Sequence, residues 1–183
     1  MNENRIPWQE TNDAFLAAAL AWLRLRLARL VRSAGDTDGN EPSPAATPKH
    51  TASGLWKRQR DLPAVETVVS HPERITEADV AAAAQKMAQA AGADPPPALL
   101  LLGQCFDMSP FEQNVLLLCA ALELAPSVPA LCARVQGDSM PYPTIALALE
   151  LFDDPAWDVL SPERPLRYWR LIEISQRPGQ PLT

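Results

Sequence analysis

The sequence predicts a mainly α-helical chain that ends in a small β element near its C-terminus. Three observations carry this prediction: apolar residues recur at helical spacing, proline marks the start of several segments, and the last apolar segment is rich in aromatic and β-branched residues. The 183 residues include 19 prolines and only 7 glycines, so most helices should be short with abrupt ends. With 47% hydrophobic residues, the chain has the composition of an ordinary globular protein.

A long amphipathic helix is predicted in residues 1–34, with Asn12 or Asp13 as its cap and its end near Ser33. Its leucines recur at spacings of four and three residues, which places them on one stripe. The helix either packs on its own domain or bridges to a neighbouring subunit. The residues that could form such a protein interface are Leu16, Leu20, Trp22, Leu23, Leu27 and Leu30.

A flexible linker is predicted over residues 35–62, because the segment is low in hydrophobicity and begins with a stretch rich in Pro, Ser, Thr, Gly and Asp. Its C-terminal part contains the only dense basic cluster of the chain. Lys57, Arg58 and Arg60 could contact an anion there, although a solvated flank of the linker is the simpler interpretation.

Residues 63–176 form the predicted helical domain. Residues 76–79 resemble a capping box that opens one helix, and a second helix follows the three prolines at positions 95–97. The clearest helix start is Ser109-Pro110-Phe111-Glu112, where serine is the N-cap, proline is the first helical residue and glutamate reaches back to the cap amide. The helix that it opens is apolar nearly all round, so we expect it at the centre of the core.

Two further helices and the β element complete the predicted domain. One helix begins at residues 127–129 and ends at Gly137, and the next begins at Thr144 and ends near Phe152. Residues 166–174 are predicted as a strand, although their alternation is imperfect. A set of rings either packs this strand on the helices or lines a small-molecule pocket. Its members are Phe152, Trp157, Tyr168 and Trp169.

Charge is distributed unevenly along the chain. Residues 1–75 carry 10 Lys and Arg against 9 Asp and Glu, whereas residues 76–183 carry 6 against 13. Affinity for nucleic acid depends on cations that replace phosphate counterions, so the acidic part is poorly suited to it. A nucleic-acid module that uses residues 56–60 with Arg164, Arg167 and Arg170 is the alternative.

No catalytic, metal-binding or cofactor-binding residues are expected in this chain, and we do not expect it to be an enzyme. His50 and His71 have no cysteine or carboxylate at metal-ligand spacing, and no glycine pattern forms a P-loop. Cys105, Cys119 and Cys132 lie in apolar runs without a C-x-x-C pair, so we expect three buried free thiols in a reducing compartment.

A cytoplasmic location without membrane contact is expected. The first ten residues are polar and lack the basic start and apolar stretch of a signal peptide. Arginines interrupt the most apolar segment, residues 15–31, which makes it unsuited to crossing a bilayer.

Residues 99–174 combine Ser109-Pro110-Phe111-Glu112 and its leucine run with the helix start at Pro143-Thr144 and the proline-bounded residues 161–166. In these motifs the chain resembles the winged-helix domain that precedes the ATPase module in a group of bacterial AAA-type ATPases. Members of that group accompany phage-tail-like contractile injection systems. The resemblance implies a winged-helix fold and an adaptor role towards a client, an injection-particle component or the ATPase ring.

The resemblance further implies that ATP and Mg²⁺ bind in a downstream module of a longer parent protein, which would assemble as a ring of identical subunits. Residues 177–183 would then be the linker to that module.

The helix at residues 144–152 corresponds to the DNA-reading helix of other winged-helix domains, yet it offers only Thr144 and Glu150 among apolar residues. We therefore expect a protein partner. The interface residues predicted here are Thr144, Ala148, Leu151 and Trp169.

Overall fold

The structure is a computed structural model that describes residues 8–37 and 75–175. These residues form seven α-helices and one 3₁₀ turn, which lies at Trp157–Leu160. The α-helices are α1 (Trp8–Thr37), α2 (Glu77–Ala91), α3 (Ala98–Cys105), α4 (Pro110–Leu124), α5 (Ser127–Gln136), α6 (Ile145–Leu151) and α7 (Pro165–Tyr168). The predicted linker beyond Thr37 and the predicted tail over residues 177–183 lie outside the described residues.

Helix α1 packs against α2, α4, α5 and α6. The side chains of Ala19, Leu23 and Leu27 are fully buried, because their spacing of four residues keeps them on the same face. Of the two predicted alternatives for this helix, packing on its own domain is therefore the one that the structure shows. The helix shares one core with residues 75–175.

The N-terminus of α1 differs from the prediction, because the helix begins at Trp8 and not at Asn12 or Asp13. The indole of Trp8 donates to the carbonyl of Pro96 at 3.0 Å, and Asn12 Oδ1 accepts from the amide of Ala98 at 3.0 Å. Pro97 precedes α3 and has no side-chain acceptor, so Asn12 caps α3 from the neighbouring helix.

The predicted helix starts from Thr76 onward are confirmed. Thr76 and Ser109 both form reciprocal capping boxes with the residue three positions later. The hydroxyl of Thr144 accepts from the amide of Leu147 at 3.1 Å and caps α6. Gly137 ends α5 at a φ of 103°, a conformation that residues with a Cβ adopt only with strain.

Aromatic rings connect α1, α4 and α6 inside the core. The rings of Trp22 and Phe152 stack with centroids 6.0 Å apart, and Phe111 meets Phe152 edge-on at 6.3 Å. All three side chains are buried. The predicted central helix α4 buries Phe111, Val115, Leu117, Leu118 and Ala121, whereas Leu124 at its end is exposed.

The small β element predicted over residues 166–174 is not confirmed, because the described residues contain no strand. Pro165 is instead the first residue of the single helical turn α7, a position that suits its fixed φ. The amides of Leu171 and Ile172 then donate back to the carbonyl of Leu166, and Arg170 has a φ of 54°. The hydrogen bonds of this turn occupy backbone amides that, in a strand, would donate to a neighbouring strand.

Candidate protein-interaction surface

The structure buries three of the six interface residues predicted on α1. Trp22, Leu23 and Leu27 fill the core, so they are not available to a partner, and the prediction is corrected for them. The other three are partly buried and pack against that core; they are Leu16, Leu20 and Leu30.

Helix α6 likewise turns its apolar residues inward. Ala148 and Leu151 are buried, which corrects their assignment to an interface. Thr144 is partly buried, and its hydroxyl is occupied by the cap of α6 and by a hydrogen bond to Gln136. The exposed residues of α6 are Ala146 and Glu150. This helix therefore presents no cation or amide side chain that could read a base edge.

Trp169 is the predicted interface residue that lies at the surface, with 51% of its area exposed. Its ring packs 5.0 Å from Phe106, which follows α3, and 5.0 Å from Tyr168, with the Tyr168 and Trp169 planes at 85°. Tyr168 is 64% exposed. We call Phe106, Tyr168 and Trp169 the aromatic cluster. The largest contiguous apolar patch on a monomer is often functional, so these rings are a candidate contact site.

Two anchors hold the aromatic cluster in place. Leu166, in α7, is fully buried and fixes the turn in the core. Arg164, just before α7, donates to the buried carboxylate of Glu112 at 2.9 Å and lies 3.6 Å from the carboxylate of Asp158. Rings held on a fixed backbone lose less entropy on binding than rings on a mobile loop.

Glu112 has two roles at this anchor. Its Oε2 accepts from the Ser109 amide at 2.8 Å and from the Ser109 hydroxyl at 2.9 Å, in addition to Arg164. Its Oε1 is buried without a hydrogen-bond partner among the described residues. The same carboxylate thus caps α4 and holds the segment that carries the aromatic cluster.

Among the described residues, the two arginines next to the aromatic cluster lack the carboxylate partners that two arginines of α1 have. Arg26 pairs with Asp153 in a bidentate contact at 2.8 and 3.1 Å, and Arg29 pairs with Glu77. Arg167 donates to the carbonyl of Leu160, and Arg170 is exposed. Within residues 8–37 and 75–175, neither Arg167 nor Arg170 pairs with a carboxylate. The ring pair is therefore flanked in the sequence by two arginines that have no ion pair with a described carboxylate.

The predicted ring set does not come together as one pocket. Phe152 is buried beneath α1 and α4, whereas Trp157 is 73% exposed on the 3₁₀ turn. Two open clefts of about 410 and 380 Å³ lie beside α1, and neither is lined by these rings. The first contains the Arg26–Asp153 pair and the second contains Ile75 and Lys86.

The remaining predicted sites have different outcomes. Lys57, Arg58, Arg60, His50 and His71 lie outside the described residues. In the described ranges, no group of three His, Cys, Asp or Glu side chains could hold a metal ion. The three cysteines are free thiols, but only Cys132 is buried; Cys119 is partly buried and Cys105 is exposed, which corrects the prediction for these two.

Burial raises the pKa of the Cys119 and Cys132 thiols, which keeps both protonated and unreactive.

No single helix within residues 8–37 and 75–175 is long and apolar enough to cross a membrane; α4 and α5 reach that length together only as a pair bent by 119°.

Sequence reasoning missed the role of Tyr168 and Phe106 at the surface. The signal that could have found them is Pro165, which stands at the start of a helical turn as Pro110 does in α4 and argues for a turn where a strand was predicted.

Comparison with known proteins places the fold in a family. No curated protein and no solved structure gives a significant match to this chain. The family described as "Winged helix domain, variant" matches residues 7–183, which includes α1 as well as the later helices. Because this match spans nearly the whole sequence, the chain belongs to the variant winged helix domain family.

Proposed function

We propose that this chain is a non-catalytic protein-interaction module that acts as the adaptor domain of an AAA-type ATPase. It would recruit a client or an injection-particle component, or order the ATPase ring. The observation that carries the proposal is the exposed Tyr168–Trp169 pair beside Arg167 and Arg170. Trp, Tyr and Arg are the residue types that most often dominate the binding energy of protein interfaces.

The electrostatics of α6 favour a protein partner over duplex DNA. A DNA-reading helix presents Arg, Lys, Asn or Gln to the major groove, whereas α6 exposes Ala146 and Glu150 and is followed by Asp153. Arg26 of α1 contacts this end of α6, but its guanidinium is already paired with Asp153. A phosphate backbone approaching this face would meet carboxylates.

The link to an ATPase and to contractile injection particles is supported by the resemblance of residues 99–174 to domains of that group. In this proposal ATP and Mg²⁺ are bound elsewhere in a longer parent protein, and the present domain supplies the contact that selects what the ATPase acts upon. The parent would form a ring of identical subunits in the cytoplasm.

A second candidate function is the binding of nucleic acid through the aromatic cluster. Bases stack on exposed Trp and Tyr rings, and Arg167 and Arg170 could meet phosphates. The acidic balance of residues 76–183 weighs against this function, because a backbone-tracking groove needs continuous positive charge.

The proposal is tested in the bacterium that encodes the chain. We expect the double substitution Tyr168→Ala and Trp169→Ala, introduced into the intact gene, to abolish assembly or firing of the injection particle while the protein stays folded and abundant. The matched control is Trp157→Ala, which removes another exposed ring. Normal assembly and firing in the double variant would contradict the proposal.

A gel shift separates the two candidate functions. We expect the purified chain to form no complex with duplex or single-stranded DNA at low salt, where phosphate contacts are strongest. A complex that is lost steeply as salt rises would favour the nucleic-acid function.

A further inference from the structure

We infer that the aromatic cluster binds a short, extended peptide that contains consecutive prolines flanked by acidic residues. This inference names the partner chemistry of the proposed interaction site, and so it rests on the proposed function. It is carried by the geometry of Tyr168 and Trp169 together with the charge of Arg167 and Arg170.

The two rings form an open corner. Their centroids are 5.0 Å apart and their planes meet at 85°, while each side chain keeps more than half of its area exposed. A corner of two perpendicular rings offers two apolar walls to one small, rigid apolar group. Proline fits such walls, and aromatic-lined grooves bind polyproline II segments because these are already extended and lose little entropy on binding.

The positive charge of the arginines next to the two rings favours a peptide with acidic residues on either side of its prolines. Arg167 and Arg170 lie on either side of the ring pair in the sequence, and neither pairs with a carboxylate among the described residues. The arginines at positions 26, 29 and 164 have carboxylate partners, whereas Arg24 and Arg134 are exposed and, among the described residues, have none. What distinguishes Arg167 and Arg170 is therefore their place next to two exposed rings. A ligand with aspartate or glutamate beside its prolines would supply the two missing counter-charges.

The size of the corner favours an extended segment over a helix. An amphipathic helix needs a groove that accommodates anchors over two or more turns. Here α7 is one turn long, and the neighbouring ring that extends the surface is Phe106, which packs against Trp169 with the two planes tilted by 37°. A surface of this length accommodates a few extended residues.

The inference is tested with a fluorescent peptide of six prolines with two aspartates at each end, titrated with the complete chain while anisotropy is recorded. We expect saturable binding that weakens as salt rises. Replacing the prolines by alanines, or the aspartates by serines, should weaken binding by about tenfold, because each removes one of the two recognition elements.

Single substitutions test whether the peptide binds at the corner formed by Tyr168 and Trp169. We expect Trp169→Ala to weaken peptide binding by about tenfold and Arg170→Ser by about threefold, in proportion to the contact that each removes. Trp157→Ala and Arg134→Ser are the matched controls, because they remove an exposed ring and an exposed cation elsewhere. Thermal unfolding followed by circular dichroism verifies that every variant is folded.

Three results would overturn the inference: no binding of the acidic proline peptide, equal binding of the alanine peptide, or tighter binding of a labelled oligothymidine. If the Tyr168–Trp169 double variant abolishes particle function while the peptide does not bind, the inference fails and the proposed function stands. If the peptide binds at the corner but the double variant leaves particle function intact, the proposed function fails on its own.

Discussion

Arg164 donates to the fully buried carboxylate of Glu112 across 52 positions of sequence, and this contact joins the segment that carries the aromatic cluster to the N-terminus of α4. We expect Arg164→Met to lower the free energy of unfolding by about 2 kcal/mol, below the range for fully buried pairs because Arg164 is partly exposed. Urea denaturation measures the change, with Arg134→Met as the control for an exposed arginine. A change no larger than that of the control would contradict the assigned role.

The same contact should govern local order around the rings. Without it, hydrogen exchange should accelerate at the amides of Leu171 and Ile172, which donate to Leu166. Exchange that is unchanged in Arg164→Met would show that Leu166 alone fixes the turn.

Ser109 stabilises α4 through two hydrogen bonds between its hydroxyl and Glu112. Its hydroxyl accepts from the amide of Glu112 at 3.2 Å and donates to that residue's carboxylate. We expect Ser109→Ala to lower the free energy of unfolding by about 1.5 kcal/mol, because the cap and one donor to a buried carboxylate are both lost. Ser127→Ala is the control, since Ser127 is exposed at the start of α5 and α5 has no side-chain cap. Equal effects of the two substitutions would refute the assignment.

Asp153 provides a pH-dependent test of the contact between α1 and the end of α6. The hydrogen bonds from Arg26 hold the pKa of the Asp153 carboxyl below its ordinary value of 3.8. A lowered pKa in the folded state means that the pair contributes stability above the ordinary value and loses it as pH falls through the folded one. The carboxylate is largely exposed, so the effect on stability is small and the pKa itself is the better readout.

We expect an NMR titration of the Asp153 carboxyl to show a pKa that rises towards 3.8 in Arg26→Met. Arg29→Met, on the same helix, should leave it lowered, because Arg29 pairs with Glu77. An unshifted pKa in the unmodified protein would rule out the pair in solution.

Two glycines differ in how closely neighbouring atoms approach them. A Cβ at Gly103 would lie 2.5 Å from the Gln113 side chain, which donates to the carbonyl of Met108, whereas a Cβ at Gly92 would meet its nearest atom at 3.5 Å. We expect Gly103→Ala to cost less than about 1 kcal/mol, because the atoms in the way belong to the end of the flexible Gln113 side chain, which can turn aside and give up its hydrogen bond to Met108. Gly92→Ala should be nearly neutral. Thermal melts of both variants test this, and Gly103→Ala should cost nothing further in a chain that already carries Gln113→Ala.

The sequence predicted what is encoded locally. The capping boxes at Thr76 and Ser109, the turn at Gly137 and the leucine stripe of α1 each depend on residues within a turn or two of one another, so spacing alone reveals them. The winged helix domain predicted for residues 99–174 was likewise supported by the family match.

The errors fall where distant residues decide the structure. Asn12 caps α3 across 86 positions, and no local pattern shows that Trp8 would be tied to the proline segment before α3. Spacing placed Leu23, Leu27 and Leu151 on apolar faces but did not show what covers those faces, which is why core residues were assigned to an interface. The strand prediction failed because Pro165 begins a helical turn despite the aromatic composition after it.

We propose that this winged helix domain contacts another protein through Tyr168 and Trp169. A photo-crosslinking amino acid at position 169, introduced in the cells that encode the chain, tests this proposal, with position 134 on the exposed side of α5 as the control. We expect a crosslinked product specific to position 169 whose second component, identified by mass spectrometry, is a polypeptide. Crosslinking to nucleic acid, or the same products from both positions, would contradict it.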